Sequence, residues 1–188
     1  ALEGIAVNAV NDTNGEWQYD ADADGTWVTF GSVRNSSAVL LDTGALVRFV
    51  PDPNYNGPAG NLTFRAWDQT SGSNGDTAVN VSANGDDSAF SSETATATLN
   101  VNPVNDAPTT SPVTLTAIAE DSGARTITQA ELLANAVDVD GPALTATNLT
   151  ISAGNGTLVD NGDGTWDYTP AVDDDTSVSF SYTITDGT

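Results

Sequence analysis

The chain has 188 residues, enough for one large or two ordinary domains, and carries 26 acidic against four basic residues for a net charge of −22. That charge repels the phosphates of nucleic acid and the headgroups of anionic membranes, and no run of about 18 apolar residues exists to span a bilayer. With no histidine and no cysteine, a serine–histidine triad, a cysteine nucleophile and an ordinary zinc site are excluded.

Short polar–apolar alternations, the mark of half-buried strands, recur along the chain. Asn14-Gly15 and Asp24-Gly25 are turn signals, and Val47–Val50 reads as a strand after them. Asn56-Gly57 turns the chain into a second strand at Leu62–Trp67, although the phase of Trp67 within it stays open. Gln69–Ser92 is a loop long enough to carry a function. Thr94–Val101 alternates again and is stopped by the proline-bounded linker Pro103-Val104-Asn105-Asp106-Ala107-Pro108. Thr128 and Glu131 form a capping-box pattern ahead of Leu132 and Leu133, which predicts a helix of one or two turns. After the turns Asn155-Gly156, Asn161-Gly162 and Asp163-Gly164, Val178, Phe180, Tyr182 and Ile184 point to one face of a last antiparallel strand. The expectation is an all-β fold of antiparallel sandwiches with one short helix.

The two halves repeat each other. Asn14-Gly15, Asp24-Gly25-Thr26-Trp27, Phe49-Val50-Pro51 and Phe64-Arg65-Ala66-Trp67-Asp68 return as Asn155-Gly156, Asp163-Gly164-Thr165-Trp166, Tyr168-Thr169-Pro170 and Tyr182-Thr183-Ile184-Thr185-Asp186. A shared order of turn, hairpin, proline and final strand means two copies of one module, at residues 1–102 and 109–188, joined by the linker 103–108. Before its Asn-Gly turn the first copy has 13 residues, and after Asp186 the second has two. The expectation is a first module without its opening strands and a second without its closing strand. Either the chain is a window on a longer array, or neighbouring copies supply the missing strands.

Val104-Asn105-Asp106-Ala107-Pro108, Ala119-Glu120-Asp121, Asp138-Val139-Asp140-Gly141 and Tyr182-Thr183-Ile184-Thr185-Asp186-Gly187, in that order, resemble the bacterial cadherin-like repeats of giant secreted surface adhesins. The resemblance implies tandem cadherin- or immunoglobulin-like sandwiches, an extracellular location and calcium at each junction between modules. Carried over residue by residue, it assigns Asp68, Asn105, Asp106, Asp138 and Asp140 to the junction of the two modules. Glu120 and Asp186 would serve the next junction. Asp68 is followed by Gln69-Thr70 where a second acid is expected, which leaves the number of ions open. The chemistry agrees: calcium takes six to eight oxygens, and an extended D-x-D pair turns both carboxylates to one face.

The alternative role for any one of these aspartates is a turn cap, which is the reading for Asp163. Asp20-Ala21-Asp22-Ala23-Asp24-Gly25 opens like a calcium loop, but its twelfth position is Gly31 in place of a bidentate glutamate, so it reads as a turn, with a weak calcium site as the alternative. The functional expectation is a non-catalytic spacer or adhesive segment whose partners are neighbouring repeats or copies, with a host or matrix glycan or protein as a further partner. Two rivals stand beside it. Trp17, Tyr19, Trp27, Tyr55 and Trp67 furnish a sugar platform if they are exposed, and missing strands supplied by other copies would make a fibre.

Overall fold

The computed structural model describes residues 3–141 and 143–188. It is almost entirely antiparallel β with one short helix, and it divides into two compact units, Ala1–Pro103 and Val104–Thr188.

The first unit contains β1 (Gly4–Val10), β2 (Gly15–Asp20), β3 (Val28–Thr29), β4 (Val39–Asp42), β5 (Leu46–Pro51), β6 (Gly57–Pro58), β7 (Leu62–Trp67), β8 (Ala95–Ala97) and β9 (Asn100–Val101). One sheet runs β4-β1-β7-β8, a second runs β3-β2-β5, and β6 pairs with β9. Between the two larger sheets lie Val7, Trp17, Tyr19, Phe30, Val39 and Leu62. The Trp17 indole meets Phe49 at 5.3 Å and donates to the Gly60 carbonyl at 2.7 Å, so its one polar atom is satisfied inside the core.

The sheet β4-β1-β7-β8 is buried on its second face as well. There Ala6, Ala38, Leu40 and Trp67 pack with Val81 and Phe90, which come from the Gln69–Ser92 loop. Arg65 on the same face donates to the carbonyls of Ser91 and Ser92 at 2.8 and 2.5 Å. Phe64 and Leu62 of β7 therefore face the sandwich interior while Trp67 faces the loop. The long loop is a cover for the sheet, built because both faces of its central strands are apolar. The alternating stretch Thr94–Val101 is broken in two. Its first part pairs with β7 and its second with β6, as the chain passes from one sheet to the other.

The second unit contains β10 (Arg125–Thr128), α1 (Gln129–Leu132), β11 (Thr145–Ala153), β12 (Thr157–Asp160), β13 (Thr165–Thr169) and β14 (Ser179–Thr185). Its sheets are β10-β13-β12 and β11-β14. The core gathers Ile127, Leu132, Ala146, Leu149, Trp166 and Tyr168, with Tyr168 edge-on to Phe180 at 5.3 Å. The capping box forms as its sequence predicts. The Thr128 hydroxyl accepts from the Glu131 amide at 3.3 Å, and the Glu131 carboxylate accepts from the Thr128 amide at 2.9 Å. The Tyr182 hydroxyl closes the helix by donating to the Leu132 carbonyl at 2.8 Å.

The internal repeat is visible in the backbone. A Cβ on Gly15 would stand 2.5 Å from the Val50 carbonyl and against the Phe49 ring; one on Gly156 would stand 2.6 Å from the Thr169 carbonyl and against the Tyr168 ring. In both units the glycine of the Asn-Gly turn is the floor on which an aromatic ring of the paired strand lies. The long pairings β1–β7 and β11–β14 also slip register at corresponding places, between Val7 and Ala9 and between Thr147 and Thr150.

Candidate metal centre

The linker is pinned to the second unit by the paired backbone of Thr109 and Val137, whose amides each reach the other's carbonyl at 2.8 and 2.9 Å. That brings Asn105 and Asp106 to the end of the unit where Asp138 and Asp140 precede β11 and Asp186 follows β14. β11 and β14 are antiparallel, with Thr145 opposite Thr185, so the start of one and the finish of the other share this end.

The residues are linked in a chain of contacts. The Asp106 amide donates to Asp140 Oδ2 at 2.6 Å, and the Asp140 amide donates to Asp138 Oδ1 at 2.8 Å. Asn105 Nδ2 donates to Asp186 Oδ2 at 2.7 Å. The remaining Asp138 oxygen, Oδ2, is out of water and has no hydrogen-bond partner. A buried carboxylate oxygen without a donor is costly, about 1–3 kcal/mol or more, and a cation is the natural compensation.

Asp186 is a correction to the sequence reading. It does not stand at the far end with Glu120; it touches the linker asparagine, because the last strand runs toward the linker end. Glu120 is exposed at the opposite end, where its neighbour Asp121 accepts from the Asp173 amide at 3.1 Å. Asp68 lies in the first unit. It is exposed and binds the amide and hydroxyl of Thr70 at 2.9 and 2.7 Å.

A pattern that the sequence reading passed over unites several aspartates. Asp24, Asp68, Asp163, Asp174 and Asp186 are each followed two residues later by threonine. Each accepts from that threonine's amide, between 2.7 and 3.1 Å. These bonds hold every one of the five carboxyls below its ordinary value. The hydroxyl is the leading cause at Asp24, Asp68, Asp163 and Asp174, and the Thr188 amide is the leading cause at Asp186. The D-x-T spacing was the available signal: an Asx turn with a second donor.

Asp20, Asp22 and Asp24 form a separate group whose oxygens lie within 4.8 Å of one another; no other three described carboxylates come so close. Asp20 is buried, but both of its oxygens are engaged, accepting from the Asp24 and Gly25 amides at 3.3 and 2.8 Å. This is the geometry of a closed turn. The aromatic platform does not assemble, because Trp17, Tyr19 and Trp67 are core residues. Trp27 is half-buried beneath the Arg48 guanidinium at 4.0 Å, and the half-buried Tyr55 donates its hydroxyl to the Pro58 carbonyl.

The acid-rich end, the sheet pairing and the linker all fall inside one stretch of known kind. Residues 104–188 match the family model of a cadherin-like domain. No curated protein and no solved structure matches the chain. The matched stretch begins inside the linker, so Asn105, Asp106, Asp138, Asp140 and Asp186 all fall within it. No helix among the described residues is long and apolar enough to cross a membrane.

Proposed function

We propose that the chain is a non-catalytic structural repeat segment of a bacterial cell-surface adhesin, stiffened by calcium held at the linker end of its cadherin-like half. The observation that carries this reading is Asp138 Oδ2, buried and without a donor, at the end where Asn105 and Asp106 already reach the carboxylates of Asp186 and Asp140. The donor set fits the ion: carboxylates and an amide oxygen are among the hard ligands calcium takes. Domains of this kind typically bind calcium, and the net charge of −22 supplies the attraction. When bound, the cation would neutralise these acids and tie residues 104–108 to the end of the unit. Glu120 lies at the other end of the same unit, and the Asp20 turn is complete without an ion. Burial of three of the five candidate aromatics counts against a sugar-binding role.

Calorimetric calcium titration and thermal unfolding, with and without chelator, test the proposal. The expected Kd is about 10⁻⁴–10⁻³ M, the range of extracellular modules. At ten times Kd the ion would add about 1.4 kcal/mol, read as a higher Tm that Asp138→Ala loses. A Tm indifferent to millimolar calcium would overturn the proposal. So would a rise that Asp138→Ala keeps and the double variant Asp22→Ala/Asp24→Ala loses.

A further inference from the structure

Asparagine is followed by glycine six times, at Asn14, Asn56, Asn74, Asn84, Asn155 and Asn161. The pair carries its own chemistry. The glycine amide nitrogen can close a cyclic imide on the asparagine Cγ, and glycine, without a Cβ, resists the necessary bend least. Asparagine is a thermolabile residue for this reason. In a folded chain the reaction needs a side chain free to leave its place and a glycine amide free to turn toward it.

Five of these pairs are held. Asn74 donates to the Ala21 carbonyl and accepts from the Asp42 amide at 2.9 Å, while the Gly75 amide donates to Leu40 at 2.8 Å. Asn84 donates to the carbonyls of Val81 and Ser82, and the Gly85 amide donates to Phe90 at 2.8 Å. Asn161 donates to the Thr165 hydroxyl at 3.0 Å, and the Gly162 amide donates to Asp160 at 2.8 Å. Asn155 donates to Asp174 at 2.7 Å, its carbonyl accepts from the Tyr168 hydroxyl, and Gly156 lies against the Tyr168 ring. At Asn14 the carbonyl accepts from the Asp52 amide at 3.0 Å, and the buried Gly15 is packed against the Phe49 ring.

Asn56 differs. It is exposed, in the loop between β5 and β6, and its side chain makes no hydrogen bond among the described residues. Gly57 opens β6, a strand of two residues, so its amide sits at the end of a short ladder that frays readily. The Tyr55 hydroxyl donates to the Pro58 carbonyl at 2.7 Å and closes the loop around the pair without engaging the Asn56 amide.

We propose that Asn56 is a site of spontaneous deamidation selected by the fold. The Gly57 nitrogen gives up its proton to solvent base and attacks Asn56 Cγ; the Cγ–Nδ2 bond breaks and ammonia leaves with a proton from solvent. Water then opens the imide. Cleavage at the side-chain carbonyl gives aspartate, and cleavage at the backbone carbonyl gives isoaspartate. Either product adds one carboxylate, taking the net charge from −22 to −23. Isoaspartate also routes the backbone through the side chain and inserts a methylene before Gly57. The register Gly57 opposite Val101 and Pro58 opposite Asn100 cannot absorb that extra length. The modification therefore loosens β9, the last strand of the first unit, as the protein ages.

The test incubates the full 188-residue chain in mildly alkaline buffer, folded and in guanidinium chloride. Peptide mapping by mass spectrometry then reads amide-to-acid conversion at each of the six asparagines. In the folded chain Asn56 is expected to convert at least about tenfold faster than any other, a barrier difference of about 1.4 kcal/mol. In denaturant the six rates are expected to converge. Asn56→Gln, at an exposed position, is expected to keep Tm and to lose the acidic species that grows in ion-exchange chromatography of the wild type. Hydrogen exchange at Val101 is expected to be faster in the aged wild type than in the aged variant. Another asparagine converting as fast as Asn56 in the folded chain overturns the proposal. So does an Asn56 that stays intact when folded while the denatured chain reacts, or an acidic species that Asn56→Gln still produces. Unchanged exchange at Val101 in isoaspartate-containing protein overturns the loosening of β9.

Discussion

β7 and β14 are one strand of the repeat placed in two environments. β7 lies inside a four-stranded sheet, with β1 and β8 on its edges, the sandwich core under one face and the Gln69–Ser92 loop over the other. Among the described strands β14 pairs with β11, and its apolar side chains stay half-buried beside an open groove. The aspartate that ends each strand makes the same turn with the threonine two residues on. In the second unit that aspartate also accepts from a linker asparagine. Local turn chemistry is thus carried by a few adjacent residues and repeats faithfully. Burial depends on what distant segments bring to the strand and differs between the copies.

The largest expected effect tests the covered face of β7. Trp67→Ala removes a residue 2% exposed from the loop-covered cluster and is expected to cost about 3–5 kcal/mol. Thr185→Ala, at the matching position of β14, is expected to cost under about 1 kcal/mol. Hydrogen exchange in β1 and β11, followed against denaturant, separates the two; equal costs would break the contrast. The shared feature comes next. Gly15→Ala and Gly156→Ala each force a Cβ onto a strand carbonyl and an aromatic ring, and each is expected to cost about 1–3 kcal/mol, measured by the same exchange. At Gly156 the φ of 126° adds strain. A cost at only one of the two glycines would show that the turns are not equivalent.

The smallest effect concerns the D-x-T turns. The Asp163 carboxyl is held below its ordinary value by the Thr165 hydroxyl and amide. A depressed folded value means the stabilisation is fully present above the unfolded carboxylate range, about pH 4, and is lost as pH falls through the lower folded value. Asp163→Asn is therefore expected to lower Tm at pH 7, and the gap from wild type to close as the pH falls below about 4. A gap that persists unchanged in acid would mean the carboxylate charge is not what holds the turn.

The all-β antiparallel character, the turn positions, the two-copy repeat and the capped helix were legible in the residues themselves, because each rests on neighbours a few positions apart: alternation of side chains, glycine after asparagine, glutamate three after threonine. The calcium candidates in the linker and at Asp138 and Asp140 were legible as oxygen donors, but their company was not. Asp186 joined Asn105 only because antiparallel pairing of β11 and β14 brings the last strand back to the linker end, across 81 positions of chain. The phase of Trp67 and the covering role of Gln69–Ser92 were also decided by tertiary packing. A strand with apolar residues on both faces has no preferred side until a second layer arrives to bury one of them. Alternation is a property of a single strand, whereas burial, an orphaned oxygen and an open sheet edge are properties of pairs of segments that meet only when the chain has folded.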